Sequence, residues 1–174
     1  SPSGSDDQTG KPYSGPAGEI FDELLAEASI QRSDIYLTNL VKVWTYKEEQ
    51  GQKKQGQKEP SQKVNRTPTM KEIKAWLPYI EKELGILQPV ALVALGGTTA
   101  QFFLGKDFKI TSSGNRWLTI PDSSPYLKVA KLPEARPLIM GLAQPSYLIH
   151  LQENSPESYR PARENLVEAL KKVK

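Results

Sequence analysis

Six consecutive apolar residues, Val90–Leu95 (VALVAL), run directly into Gly96–Gly97 and then Thr98–Thr99. A strand without polar alternation needs cover on both faces, which is the environment of a central strand in a parallel sheet. The glycine pair then turns the chain into a helix expected to start near Thr98. Strand, tight turn and helix in that order point to an α/β fold with a largely parallel sheet.

Other segments fit that frame. After Gly18, Ile20, Phe21, Leu24, Leu25 and Ala28 recur at helical spacing. Ile35–Val41 is β-branched and apolar and reads as a buried strand. Thr69 with Glu72 makes a capping box for a helix through Ile73, Trp76, Leu77, Ile80 and Leu84. Pro78 lies inside it and is expected to bend it or to break one hydrogen bond. Trp117–Ile120, Leu127–Ala130 and Leu138–Leu142 read as strands, Pro145 opens a short helix, and Tyr159–Lys172 supplies an amphipathic one. Ser1–Gly18, dense in Gly, Pro, Ser and Asp, reads as loop. Ser1–Gly4 is expected to follow a strand that lies before residue 1. At 174 residues the expectation is a single domain over 1–174.

Composition narrows the chemistry. No apolar stretch approaches the roughly 18 residues that cross a bilayer, and no leader pattern is visible. With no Cys among these residues, no disulfide or thiolate metal site can form from them. The lone His150 leaves no basis for a His metal site or a Ser–His–Asp triad. Net charge is +3, and it concentrates between Tyr46 and Arg66, where Lys47, Lys53, Lys54, Lys58, Lys63 and Arg66 face Glu48, Glu49 and Glu59. Residues 44–66 carry no periodicity and read as a flexible basic insertion, suited to phosphate contact. The alternative is a solvated loop rich in Lys and Gln.

Five motifs then fall where strands give way to loops or helices: Gly10–Gly18 (GKPYSGPAG), Thr38–Lys42 (TNLVK), Asn65–Thr69 (NRTPT), Leu95–Gly105 (LGGTTAQFFLG) and Gln144–Leu148 (QPSYL). In an open α/β sheet that rim is where ligands bind. Their order and spacing resemble the uracil-DNA glycosylase superfamily, closest to its iron–sulfur and uracil-DNA cross-linking branches, over Ser1 to about Leu148. The resemblance implies a three-layer α/β/α sandwich with a central, mainly parallel sheet. It also implies a DNA glycosylase that flips and hydrolytically excises uracil or a related deaminated or modified base.

Roles follow position by position from the resemblance. Tyr13 stands where an aromatic stacks on the flipped base; the alternative is a ring packed on the first helix. Asn39 stands at the edge-reading position, since an amide offers both a donor and an acceptor to uracil; alone, Thr-Asn after a strand is more often a turn. Gln144 replaces the family's His and keeps a hydrogen-bond donor for the base carbonyl, but it cannot become cationic. Gly97, Thr98, Ser146, Lys63 and Arg66 are the expected phosphate contacts. The water-activating acid is expected before Ser1, with Asp6 and Asp7 as weaker candidates. The positions that align best with cluster ligands are Val43 and Trp76, and the cross-linking His is matched by Asn65, so neither a cluster nor covalent capture of DNA is expected. The expected partner is DNA bearing uracil or another modified base, bound by a cytoplasmic monomer of bacterial or phage-type context, without cofactor or membrane. Two other readings are a catalytically impaired DNA-binding module and a protein-interaction module of the same fold.

Overall fold

The computed structural model describes residues 1–50, 60–124 and 137–173. Its sheet is built on the two most apolar segments. β3 (Ala91–Leu95) pairs in parallel with β5 (Leu138–Leu142), in register from Ala91↔Leu138 to Leu95↔Leu142. β4 (Leu118–Thr119) adds a two-residue antiparallel edge on the other side of β5, giving the order β3-β5-β4. The described sheet is therefore mixed, and its longer ladder is the parallel one.

Side chains alternate across this sheet and sort into two cores. Met140 and Leu142 pack with Phe21, Leu24 and Leu25 of α2 (Pro16–Glu27), Leu148 and Leu151 of α6 (Pro145–Asn154), and Leu166 and Leu170 of α7 (Pro156–Lys171). Ile139 and Ala94 point the other way, to Ile73, Leu77, Ile80 and Leu84 of α3 (Met70–Leu87) and Phe102 and Phe103 of α4 (Gly97–Leu104). Two helical layers thus cover one sheet, and the expected α/β/α sandwich is present. A four-residue helix, α5 (Ile110–Ser113), precedes β4.

α3 follows its sequence signals closely. The Thr69 hydroxyl accepts from the Glu72 amide at 3.3 Å, and the Glu72 carboxylate accepts from the Thr69 amide at 2.7 Å. The helix continues through Pro78 to Leu87, because the buried ridge Ile73–Leu77–Ile80–Leu84 runs past the proline and holds both halves on the sheet.

Three expectations are corrected. Ile35–Val41 forms no strand: Leu40 and Val41 are buried, but no described residue pairs with this backbone. Apolar patterning reports burial, whereas a strand also needs a neighbour with free hydrogen-bonding groups. Ser1–Gly18 contains α1 (Gly4–Thr9), started by a capping box between Ser3 and Asp6. The insertion is not featureless, since β1 (Tyr46–Glu49) and β2 (Gln62–Asn65) make an antiparallel hairpin. It escaped the periodicity criterion because both strands are exposed apart from Val64, and an uncovered strand has no apolar face to alternate. Lys53, Lys54, Lys58 and the expected strand Leu127–Ala130 lie outside the described residues.

Replacing Thr69 by Ala removes the cap and should cost about 1 kcal/mol of stability, read as a lower urea midpoint with an unchanged slope. An unchanged midpoint would show that the reciprocal Glu72 bond suffices alone.

Candidate active site

The parallel ladder decides where the chemistry can sit. β3 and β5 end side by side, and the Gly96 amide extends their pairing by donating to the Leu142 carbonyl at 2.7 Å. Each strand then turns into a helix, α4 after Gly96 and α6 after Gln144. Two helix N-termini consequently open on one rim, each with amides that lack intrahelical acceptors and a positive dipole end. Gly96 adopts φ 92°, and a side-chain carbon added there would lie 2.5 Å from Gln144 Nε2 and 2.7 Å from its Cγ. Glycine is what lets the exposed Gln144 side chain lie across the turn. Ser146 Oγ donates to Gln144 Oε1 at 3.4 Å, and a carbon added to Gly97 would meet open space. The structure thus gathers Gln144, Ser146, Gly97 and Thr98 into one patch.

A second group forms around the loop that carries Tyr13. Asp6 Oδ2 accepts from the Ser3 amide, while Oδ1 accepts from the Ser14 amide at 2.7 Å and the Ser14 hydroxyl at 3.1 Å. Partial burial pushes the Asp6 pKa up, but the bonds from Ser3 and Ser14 outweigh it, and the net shift is below the ordinary 3.8. A carboxylate so occupied, and more acidic than usual, is a poor base; Asp6 ties α1 to the loop instead. Asp7 is exposed, and its side chain makes no hydrogen bond or ion pair among the described residues. Tyr13 sits at φ 55°, and its ring packs on Phe21 with centroids 5.1 Å apart. Burial and the nearby Asp6 charge raise its hydroxyl pKa well above the normal tyrosine range. The ring is therefore packed on α2 along one side, as the structural alternative expected. Arg32 donates to the Pro12 and Tyr13 carbonyls while paired with Asp22 at 2.7 Å, and so straps the loop to α2. The Tyr13 carbonyl lies so close to Gly18 that an added methyl would approach it to 1.9 Å. A cleft of about 500 Å³ lies against Tyr13, bordered by Lys11, Gly18, Asp22, Arg32 and Leu37; neither Asn39 nor Gln144 lines it.

Asn39 belongs to a third group. Its side chain is half-buried and has no hydrogen-bond partner among the described residues, while its neighbours Thr38 and Lys42 both end on Glu83 of α3.

The hairpin residues divide. The Arg66 guanidinium makes a two-pronged pair with Glu72 at 2.6 and 2.9 Å and donates to the carbonyls of Tyr46 and Thr67. That bonding holds the Glu72 carboxyl well below the usual range and spends Arg66 on joining the hairpin to α3. Lys63 remains at the surface, with Nζ 4.2 Å from the Tyr46 ring centroid. Asn65 accepts from the Trp44 indole at 2.6 Å. Val43 is 47% exposed, and Trp76 packs on Tyr79 with ring centroids 5.0 Å apart. Neither side chain can ligate iron and the sequence holds no Cys, so these residues do not fit a cluster.

Arg32, Glu83 and Gly18 were not singled out from sequence. Gly18 carried a signal as the end of the Gly-bounded loop. Arg32 and Glu83 carried none, because their partners lie 10 to 47 residues away.

The chain belongs to the uracil DNA glycosylase superfamily, whose family model matches residues 1–170. It is 36% identical over 111 residues to a type-4 uracil-DNA glycosylase of Thermotoga maritima, covering 63% of this chain and 49% of that protein. It is 34% identical over 100 residues to the enzyme of that name from Pyrobaculum aerophilum, covering 58% and 42%. A third, from Archaeoglobus fulgidus, is 31% identical over 101 residues, again covering 58% and 42%. The matched stretch therefore spans less than half the length of each of these relatives.

Gly18→Ala should destabilise the protein by about 1–3 kcal/mol, because the Tyr13 carbonyl must move aside; a wild-type urea midpoint would refute that contact. The Asp6 clamp carries its own pH signature. Its folded pKa is depressed, so its contribution is complete above the ordinary 3.8 and is lost as pH falls through the lower folded value. The Ser14 amide proton should shift only in that acidic window, and in Asp6→Asn the transition should be absent.

Proposed function

We propose that this chain is a DNA glycosylase that flips uracil, or a related deaminated base, out of DNA and hydrolyses its N-glycosidic bond. The observation that carries this reading is the rim at the ends of β3 and β5, where two helix N-termini and Gln144 converge. In the reaction the C1′–N1 bond breaks, its electron pair passes to the base, and water bonds to C1′ and gives up the proton that neutralises the departing base anion. Negative charge then grows on the pyrimidine carbonyls. Gln144 donates a hydrogen bond there, and the amides and hydroxyls of Gly97, Thr98 and Ser146 take the flanking phosphates. Asn39, whose side chain has no hydrogen-bond partner among the described residues, reads the base edge. Tyr13 supports the base with the part of its ring that Phe21 leaves uncovered. Lys63 adds a phosphate contact; Arg66 does not. Of the two α1 carboxylates, Asp6 is occupied by Ser3 and Ser14, and Asp7 faces solvent, where it orients water.

One observation favours a second reading, a DNA-binding module with impaired chemistry. Gln144 cannot become a cation, and Asp6 is committed to its loop. A donor aimed at developing charge is worth about 3 kcal/mol, roughly a hundredfold in rate.

The deciding measurement is base release from single- and double-stranded oligonucleotides carrying uracil, set beside thymine controls. We expect slow, uracil-dependent release that Asn39→Ala lowers by about tenfold or more and Gln144→His raises by a similar factor. No release by either protein, with equal affinity for uracil and thymine DNA, selects the binding module instead.

A further inference from the structure

The segment that presents Asn39 has no secondary structure of its own. Among the described residues, 36–44 make no backbone–backbone hydrogen bond, so neither ladder nor helix sets their course. Leu40 and Val41 anchor it by burial, but apolar contact is non-directional and leaves the aim of a neighbouring amide open.

Direction comes from one carboxylate. Glu83, on α3, accepts from Lys42 Nζ at 2.8 Å on Oε1 and 2.7 Å on Oε2. It accepts from Thr38 Oγ1 at 3.1 Å and from the Tyr36 hydroxyl at 3.4 Å. Lys42 also donates to Thr38 Oγ1, closing a triangle whose two loop corners bracket Asn39. Side chains of Lys42 and Glu83 are only 21% and 25% exposed, so this pair is less screened than an ordinary surface ion pair. α3 is a firm base for it, capped at its start and buried along Ile73, Leu77, Ile80 and Leu84.

We infer that Glu83 is a positioning residue for base recognition: by gripping Thr38, Lys42 and Tyr36 at once, it holds the loop that aims the Asn39 amide at the base edge. This rests on the glycosylase reading for its consequence, though not for its geometry. Glu83 touches no reacting atom in this scheme and acts through Asn39. Removing it leaves the sandwich intact and lets the loop choose among orientations, only some of which present the amide.

A double-mutant cycle tests this together with 15N relaxation of the 36–42 backbone and amide hydrogen exchange of α3. Glu83→Ala should lower the rate of uracil release about tenfold, and on an Asn39→Ala background it should change the rate by less than about twofold. Glu83→Gln, which keeps size and one acceptor, should fall between. Backbone 15N order parameters at residues 36–42 should fall in Glu83→Ala, showing a freer loop, while the α3 amides around Leu77 and Ile80 stay protected from exchange. If wild type releases uracil and the Glu83→Ala loss adds in full to that of Asn39→Ala, the positioning role is overturned. If wild type releases no base, the glycosylase reading fails, and the relaxation measurement alone decides: unchanged order parameters at 36–42 overturn the role of Glu83. Should Glu83→Ala lose α3 protection as well, Glu83→Gln carries the same comparisons.

Discussion

The parallel pairing of β3 with β5 is the constraint from which the rest of the site follows. Two neighbouring strands that run the same way must end at the same edge, and each here passes straight into a helix. The Gly96–Leu142 hydrogen bond carries the pairing one residue beyond β3 and sets the height at which both helices begin. Two dipoles, several free amides and the Gln144 side chain then share one edge without any loop having to find it. The sandwich stabilises this arrangement by burying alternate residues of β5, Ile139 on one side and Met140 and Leu142 on the other.

Around that edge, the recognition loops are held by charged side chains rather than by ladders. Asp6 ties α1 to Ser14, Arg32 ties the Tyr13 carbonyl to α2, and Glu83 ties Thr38 and Lys42 to α3. Each uses a group on one element to satisfy polar atoms of a loop that has few backbone partners. Arg66 works in the same way at the hairpin, joining it to α3 through Glu72. The charges that a composition count assigns to nucleic acid are thus partly consumed in building the surface.

Four positions separate this member from the pattern its motifs resemble. Gln144 keeps a donor but gives up a switchable charge, Asn65 is engaged by the Trp44 indole, and Val43 and Trp76 occupy positions that a cluster would need as thiolates. None of them lies in β3, β4 or β5, and Trp76 packs against the core under α3.

Local patterning determined the layers of this protein. VALVAL, the α2 and α3 stripes, the Thr69 capping box and the glycine turn each act over a few residues, and burial of an apolar stripe has few solutions. The motif order likewise brought Gln144 and the Gly96–Gly97 turn into view before any contact was known. Tertiary structure alone decided that Ile35–Val41 is a loop, that the exposed hairpin exists, and that Arg66 serves α3. It also decided that one glutamate aligns the Asn39 segment from 41 to 47 residues away. The physical reason is that periodicity records which side chains leave water. Hydrogen-bond partners distant in the chain are chosen only once the layers have brought them together.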